Sequence, residues 1–128
     1  MGTIKQKSER VLSDDEMYEN KISFEEKFQN ETLRPIIKSK HDLIIQIVRH
    51  YNKKKLIKLK DLSVNERNNF LNIVLFKETH FTNEIKGVII GNFTTEEYYE
   101  YLEMEKDMNK RIVNIIKERL KTNLSELL

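Results

Sequence analysis

Histidine is the side chain best suited here to hold a metal or move a proton, and the chain has three: His41, His50 and His80. A zinc centre needs about three side-chain ligands converging on one point. No two of these histidines share helical spacing, and no HExxH is present. His80 and Glu84 lie four apart and can touch on one helix face. His41 falls between Ile37 and Ile44, so its expected role is a partly buried, hydrogen-bonded side chain bordering the core. Cysteine is absent, which removes disulfides, thiolate metal sites and cysteine nucleophiles. Nor does the chain carry a GxSxG elbow, a P-loop or a GxGxxG. No catalytic residue, metal site or cofactor is expected from these patterns.

Charge is the stronger signal. The segment 49–60 holds Arg49, Lys53, Lys54, Lys55, Lys58 and Lys60 with no acid among them. Such a run can meet phosphates or an acidic protein surface. It lacks helix-turn-helix spacing and an aromatic platform, and it has little arginine for bidentate base reading. Lysines also suit the C-terminal end of a helix. The opposite sign collects further on, where Glu96, Glu97, Glu100, Glu103, Glu105 and Asp107 face only Lys106. Tyr99 falls off the apolar stripe there and is expected on the surface, open to a partner. The two runs can meet within one subunit or across a homodimer. Net charge, at +2, is nearly balanced, and the abundance of Lys, Asn and Ile is what an AT-rich genome encodes.

The elements that must position these groups read as helices. Three glycines and one proline leave little room for hairpins, and apolar/polar alternation is scarce. The organising stretch is 32–51, where Leu33, Ile36, Ile37, Ile44, Ile47, Val48 and Tyr51 form one stripe. Ser13–Glu16 and Ser23–Glu26 have capping-box spacing, and helix is expected from Ser23 toward Pro35. Pro35 predicts a kink or short break near residues 31–34. A third capping box, Ser63 and Glu66, opens a helix that should bury Phe70, Leu71, Val74 and Leu75 and stop near Lys77. Thr79 or Thr82 then caps a helix with Ile85, Val88, Ile89 and Ile90, closing at Gly91-Asn92 in a left-handed cap. Within it, Gly87 and Gly91 form a GxxxG, whose glycines are expected to admit a neighbouring helix. Thr94 and Glu97 open the last helix, whose stripe runs through Tyr98, Tyr101, Leu102, Met108, Ile112, Ile115, Ile116 and Leu120.

The expected architecture is all-α, a small antiparallel bundle with long helices over about 32–53 and 95–122 and two shorter ones between. Residues 1–22 read as a flexible arm, 23–122 as one helical domain, and 123–128 as a frayed end. No apolar run approaches the roughly 18 residues of a membrane span. The first residues lack a secretory pattern, so a cytoplasmic protein without a membrane partner is expected.

Three segments together resemble a known family: FQNETLRPIIKSKHDLIIQ, GVIIGNFTTEEYYEYL and NKRIVNIIKERLK. They are similar to a group of short, uncharacterised bacterial helical proteins with an FQN-TLRPIL-like stretch, a GxxIGxFTxEE-like segment and an NKR-bearing last helix. The resemblance covers about residues 28–121. It implies an all-helical bacterial protein, and because some members are labelled "glyoxalase" it adds a lyase to the readings. The family's recurring polar positions fall on Arg34, Asn109, Lys110 and Arg111. A structural role is expected for Arg34, binding an acid or a carbonyl where Pro35 frees the backbone. The first reading from all of this is a non-enzymatic protein-interaction or regulatory module, with another protein or a second copy as partner. A nucleic-acid-associated factor using 49–60 is the alternative.

Overall fold

The computed structural model describes residues 13–128, with the side chains of 18–22 left out of that description. The arm expected over residues 1–22 therefore lies, for 1–12, outside the described residues. Every regular element that is described is helical.

Helix α1, Asp14–Phe28, starts earlier than the pattern around Ser23 suggests. Ser13 is the cap, its hydroxyl accepting the Glu16 N–H at 3.2 Å, and Asp14, Asp15 and Glu16 complement the positive end of the helix. Ser23 is consequently interior and forms no capping box. The kink or short break expected near residues 31–34 takes the form of a π turn, and the helix does not end there. That turn, Gln29–Leu33, hands the Arg34 N–H to the carbonyl of Gln29, five residues back. Proline normally clashes with the carbonyl four residues earlier and wastes its bond. The wider turn just before Pro35 relaxes that contact, so helix α2, Arg34–Ser39, continues directly.

Two single residues split the long helices. Lys40 (φ −102°, ψ 14°) separates α2 from α3, His41–Lys54. Met104 (φ −137°, ψ 34°) separates α7, Thr95–Glu103, from α8, Glu105–Thr122. Between them lie a 3₁₀ turn, Leu59–Asp61, and α4, Val64–Asn69, which opens on a complete Ser63–Glu66 capping box. A second π turn, Phe70–Val74, leads into α5, Leu75–Lys77, and then comes α6, Thr79–Ile90. The wide turn leaves Phe70, Leu71 and Leu75 buried but turns Val74 out, 43% exposed, against the expected stripe. Thr94 and Glu97 cap α7 reciprocally, as their spacing predicts.

Helix α8 is the spine of the core. Met108, Ile112, Ile116 and Leu120 recur every four residues and are fully buried, and each such side chain contributes about 1.5–3 kcal/mol of burial. It packs on α6, the second π turn and the first. Leu33, Ile37, Ile44 and Val48 fill the facing side as expected, and Ile45 joins them. Tyr98 and Leu102, expected on the stripe, are instead exposed, because the break at Met104 rotates α7 relative to α8.

The glycines behave differently from expectation. A side chain at Gly87 would meet nothing within 4 Å, so no helix approaches closely there. Gly91 keeps a right-handed φ of −61°, and the carbonyls at the end of α6 are taken by Gly91, Asn92 and the Asn92 amide. Among the described residues the left-handed one is Leu56, at φ 59°. Finally, the C-terminal residues do not fray. Leu124–Leu127 form a 3₁₀ turn with Leu127 only 7% exposed.

Candidate functional site

The left-handed Leu56 determines where the basic run goes. After α3 the chain reverses, the Ile57 N–H donates back to the Asn52 carbonyl at 2.8 Å, and residues 57–60 return beside the helix they left. Arg67 holds that return in place. Its Nε donates to the Leu59 carbonyl at 2.7 Å and its Nη2 to the Lys60 carbonyl at 2.9 Å. Opposite, the C-terminal turn supplies Leu127 and Leu128. The result is a cleft of about 430 Å³ between the end of α3, the 57–60 return and the C-terminal turn.

Its wall carries Arg49, His50, Lys53, Lys58 and Lys60 over a small apolar base of Ile57, Leu59 and Leu127. Lys54 and Lys55 of the same run are exposed and lie outside it. Arg49 is partly spent, donating to the Glu126 carbonyl at 3.1 Å. Among the described residues, Lys53, Lys58 and Lys60 make no ion pair. Asn52, on the same wall, is 5% exposed, and neither its amide oxygen nor its amide nitrogen has a hydrogen-bond partner. The run of lysines was legible in the sequence. Asn52 and Arg67 were not, since nothing local distinguishes a buried asparagine or a buttressing arginine.

His41 has the partly buried, bonded role its position predicts, but in a constellation no local spacing reveals. Its Nε2 lies 2.9 Å from a Glu126 oxygen, and Arg119 Nη1 lies 3.2 Å from its Nδ1. A guanidinium only donates. Nδ1 must therefore accept, and Nε2 carries the proton that Glu126 receives. Both nitrogens are committed, so His41 clamps the C-terminal turn and offers no free base. His41, Asp42 and Glu126 are also close enough to share a cation, their ligand atoms within 4.8 Å of one another. A metal on Nε2 would require the proton on Nδ1, pointing at Arg119, so the residues present do not fit one. His80 is exposed beside Glu84 at 3.8 Å, and His50 stands on the cleft wall.

The acidic face divides in two. Glu97 belongs to the fold: it completes the Thr94 cap and accepts the Thr32 hydroxyl at 3.3 Å. Glu96 and Glu103 are exposed, Glu100 is half-buried, and Tyr99 is 62% exposed beside Tyr98 and Leu102. Among the described residues, no ion pair joins this face to the basic run.

Arg34 does not reach the backbone beside Pro35; its Nε donates to the Asn30 side-chain carbonyl at 3.1 Å, on the surface. Arg111 is the more consequential member of that polar set, donating to Gln29 at 2.7 Å and to the buried Glu25 at 3.4 Å. Asn109 accepts from the Tyr101 hydroxyl at 2.6 Å. Burial, then the charge of Glu105, pushes that phenol above its ordinary value, while the Asn109 bond pulls the other way. Lys110 lines a second groove with Lys86, Asn109 and Lys117. That groove contains no buried unpartnered group, and Asn109 is already bonded.

Comparison with protein-family models, with curated proteins and with solved structures finds no match to this chain.

Proposed function

We propose that this chain is a non-enzymatic interaction module that receives an acidic protein surface on the cleft formed by α3 and the 57–60 return. The observation that carries this reading is the set of lysines 53, 58 and 60 lining one cleft, none of them paired with an acid among the described residues. Unpaired like charges held together repel one another, and an acidic partner relieves that repulsion. Each exposed pair so formed is worth only about 0.2–1 kcal/mol. Affinity then comes from several pairs together, and it weakens steeply with salt. The acidic face of α7, with Glu96, Glu103 and the exposed Tyr99, gives the same chain a surface of opposite sign, so a second copy is among the acidic partners it can meet.

The test is a charge reversal, Lys53→Glu with Lys58→Glu and Lys60→Glu. The tagged wild-type chain should retain protein partners, or associate with itself in sedimentation, at low salt and after nuclease treatment. The reversed variant should lose them while keeping its melting temperature. Retention that disappears with nuclease would instead move the site to the nucleic-acid reading.

A further inference from the structure

We propose that the cleft is filled by α7 of a second copy of this chain, with Tyr99 set against its apolar base and the neighbouring glutamates meeting its lysines. The inference rests on the interaction reading above and narrows its partner from any acidic surface to this one.

Successive residues turn by about 100° around a helix, so α7 sorts its side chains by direction. Tyr101 and Glu97 face inward: the first is buried, and the second is bonded to Thr94 and Thr32. Tyr98, Leu102 and Tyr99 form a second apolar arc, all of them exposed and Tyr99 the most. Glu103, Glu96 and Glu100 follow along the edge of that arc, and none of the three is ion-paired among the described residues. One apolar stripe on a helix is explained by the core it covers. α7 has another, left open to solvent. Two tyrosines and a leucine side by side on such a face are what protein interfaces bury, aromatic residues above all.

The cleft has the complementary order. Ile57, Leu59 and Leu127 line it with Arg49, Lys53, Lys58 and Lys60. The apolar members are buried or half-buried and the cations exposed, which makes an apolar base inside a cationic rim. Base meets stripe, and rim meets acidic edge. At about 430 Å³ the cleft has room for an aromatic side chain rather than a whole helix, so α7 lies across its mouth with Tyr99 pointing in. Within one subunit no residue of α7 lines the cleft. α7 enters the start of α8 and the C-terminal turn leaves its end, and those 18 residues span roughly 27 Å. The contact therefore joins two copies. Nucleic acid in the cleft would account for the lysines and leave the outer stripe of α7 without a use.

The test is sedimentation of the full chain at low and high salt. Wild type should self-associate at low salt and separate as salt screens the pairs. Lys53→Glu with Lys58→Glu in the cleft, or Glu100→Lys with Glu103→Lys on α7, should each weaken association by about tenfold or more. Both pairs of changes in one chain leave the net charge unchanged and should restore association, because the two surfaces have exchanged signs. Tyr99→Ala should weaken it by about 30-fold at an unchanged melting temperature. Carbodiimide joins an amine to a carboxylate in direct contact. It should link Lys53, Lys58 or Lys60 of an isotopically light chain to Glu96, Glu100 or Glu103 of a heavy one. That link needs no substitution, so it decides the matter even where a reversed variant folds poorly.

A wild-type chain that stays monomeric at low salt overturns the inference. The interaction reading then stands if the lysine reversal releases other protein partners, and falls with it if none is released. Association that survives Tyr99→Ala, the α7 reversal or the lysine reversal also overturns the inference, since the contact is then made elsewhere. Association lost in both reversals and not restored by their combination shows that the two surfaces do not meet each other, with the same result.

Discussion

Arg111→Met tests the polar joint between α1 and α8. Arg111 reaches Glu25 at 3.4 Å and Gln29 at 2.7 Å, with Glu25's side chain 10% exposed and its own 27%. Methionine keeps the apolar stem and removes the donors, so packing changes little. The gross attraction at this distance is about 5 kcal/mol at an effective dielectric near 20, but desolvation offsets most of it. What decides the cost is the carboxylate left behind. Breaking a fully buried pair costs about 3–5 kcal/mol. Here the contact is long and the arginine partly wet, which brings the expectation to about 2–3 kcal/mol, including the bond to Gln29. For a chain of this size that is a fall of about 10 °C in melting temperature. In urea the midpoint should drop with the slope unchanged. Glu25→Leu in the same background should recover most of the loss, because the orphan is the expensive part. A cost under about 0.5 kcal/mol for Arg111→Met would refute the reasoning. So would a double variant no better than the single one.

Three further outcomes follow from the geometry. Leu127→Ala should cost about 2 kcal/mol, the low end for a buried leucine because it sits at a chain end, and limited proteolysis should then cut the C-terminal turn. Leu56→Gly should stabilise the chain by up to about 1 kcal/mol by relieving the left-handed strain at an 85% exposed position; thermal melts showing a loss would mean that Leu56 makes a needed contact. Glu66 is held below its ordinary value of 4.5 by bonds from the Ser63 backbone N–H and hydroxyl, against a small burial effect. Its contribution is present above about that pH and is lost as pH falls through the lowered folded value, so Glu66→Gln should flatten part of the acid limb of a stability–pH profile.

Much of the fold is local and was legible as such. The boxes at Ser63–Glu66 and Thr94–Glu97 formed because all their partners lie within one turn. Ser23–Glu26 carries the same signal and went unused, since Ser13 with its acids had already started the helix upstream. The two π turns are invisible to a pattern that assumes one period throughout, and they are why helix continues across Pro35 and Val74 points outward.

The sequence by itself determined an all-helical chain, the apolar stripe that becomes the core, and the segregation of lysines from glutamates. Periodicity and charge are properties of neighbours along the chain, and they survive whatever the rest does. Only the tertiary structure decided that the lysines would line a hollow and that His41 would be locked between Arg119 and Glu126 across 78 and 85 residues of sequence. It also decided that Asn52 would be buried without a partner. Those facts depend on one left-handed residue reversing the chain and on the C-terminal turn docking against α3, and neither leaves a mark in local spacing.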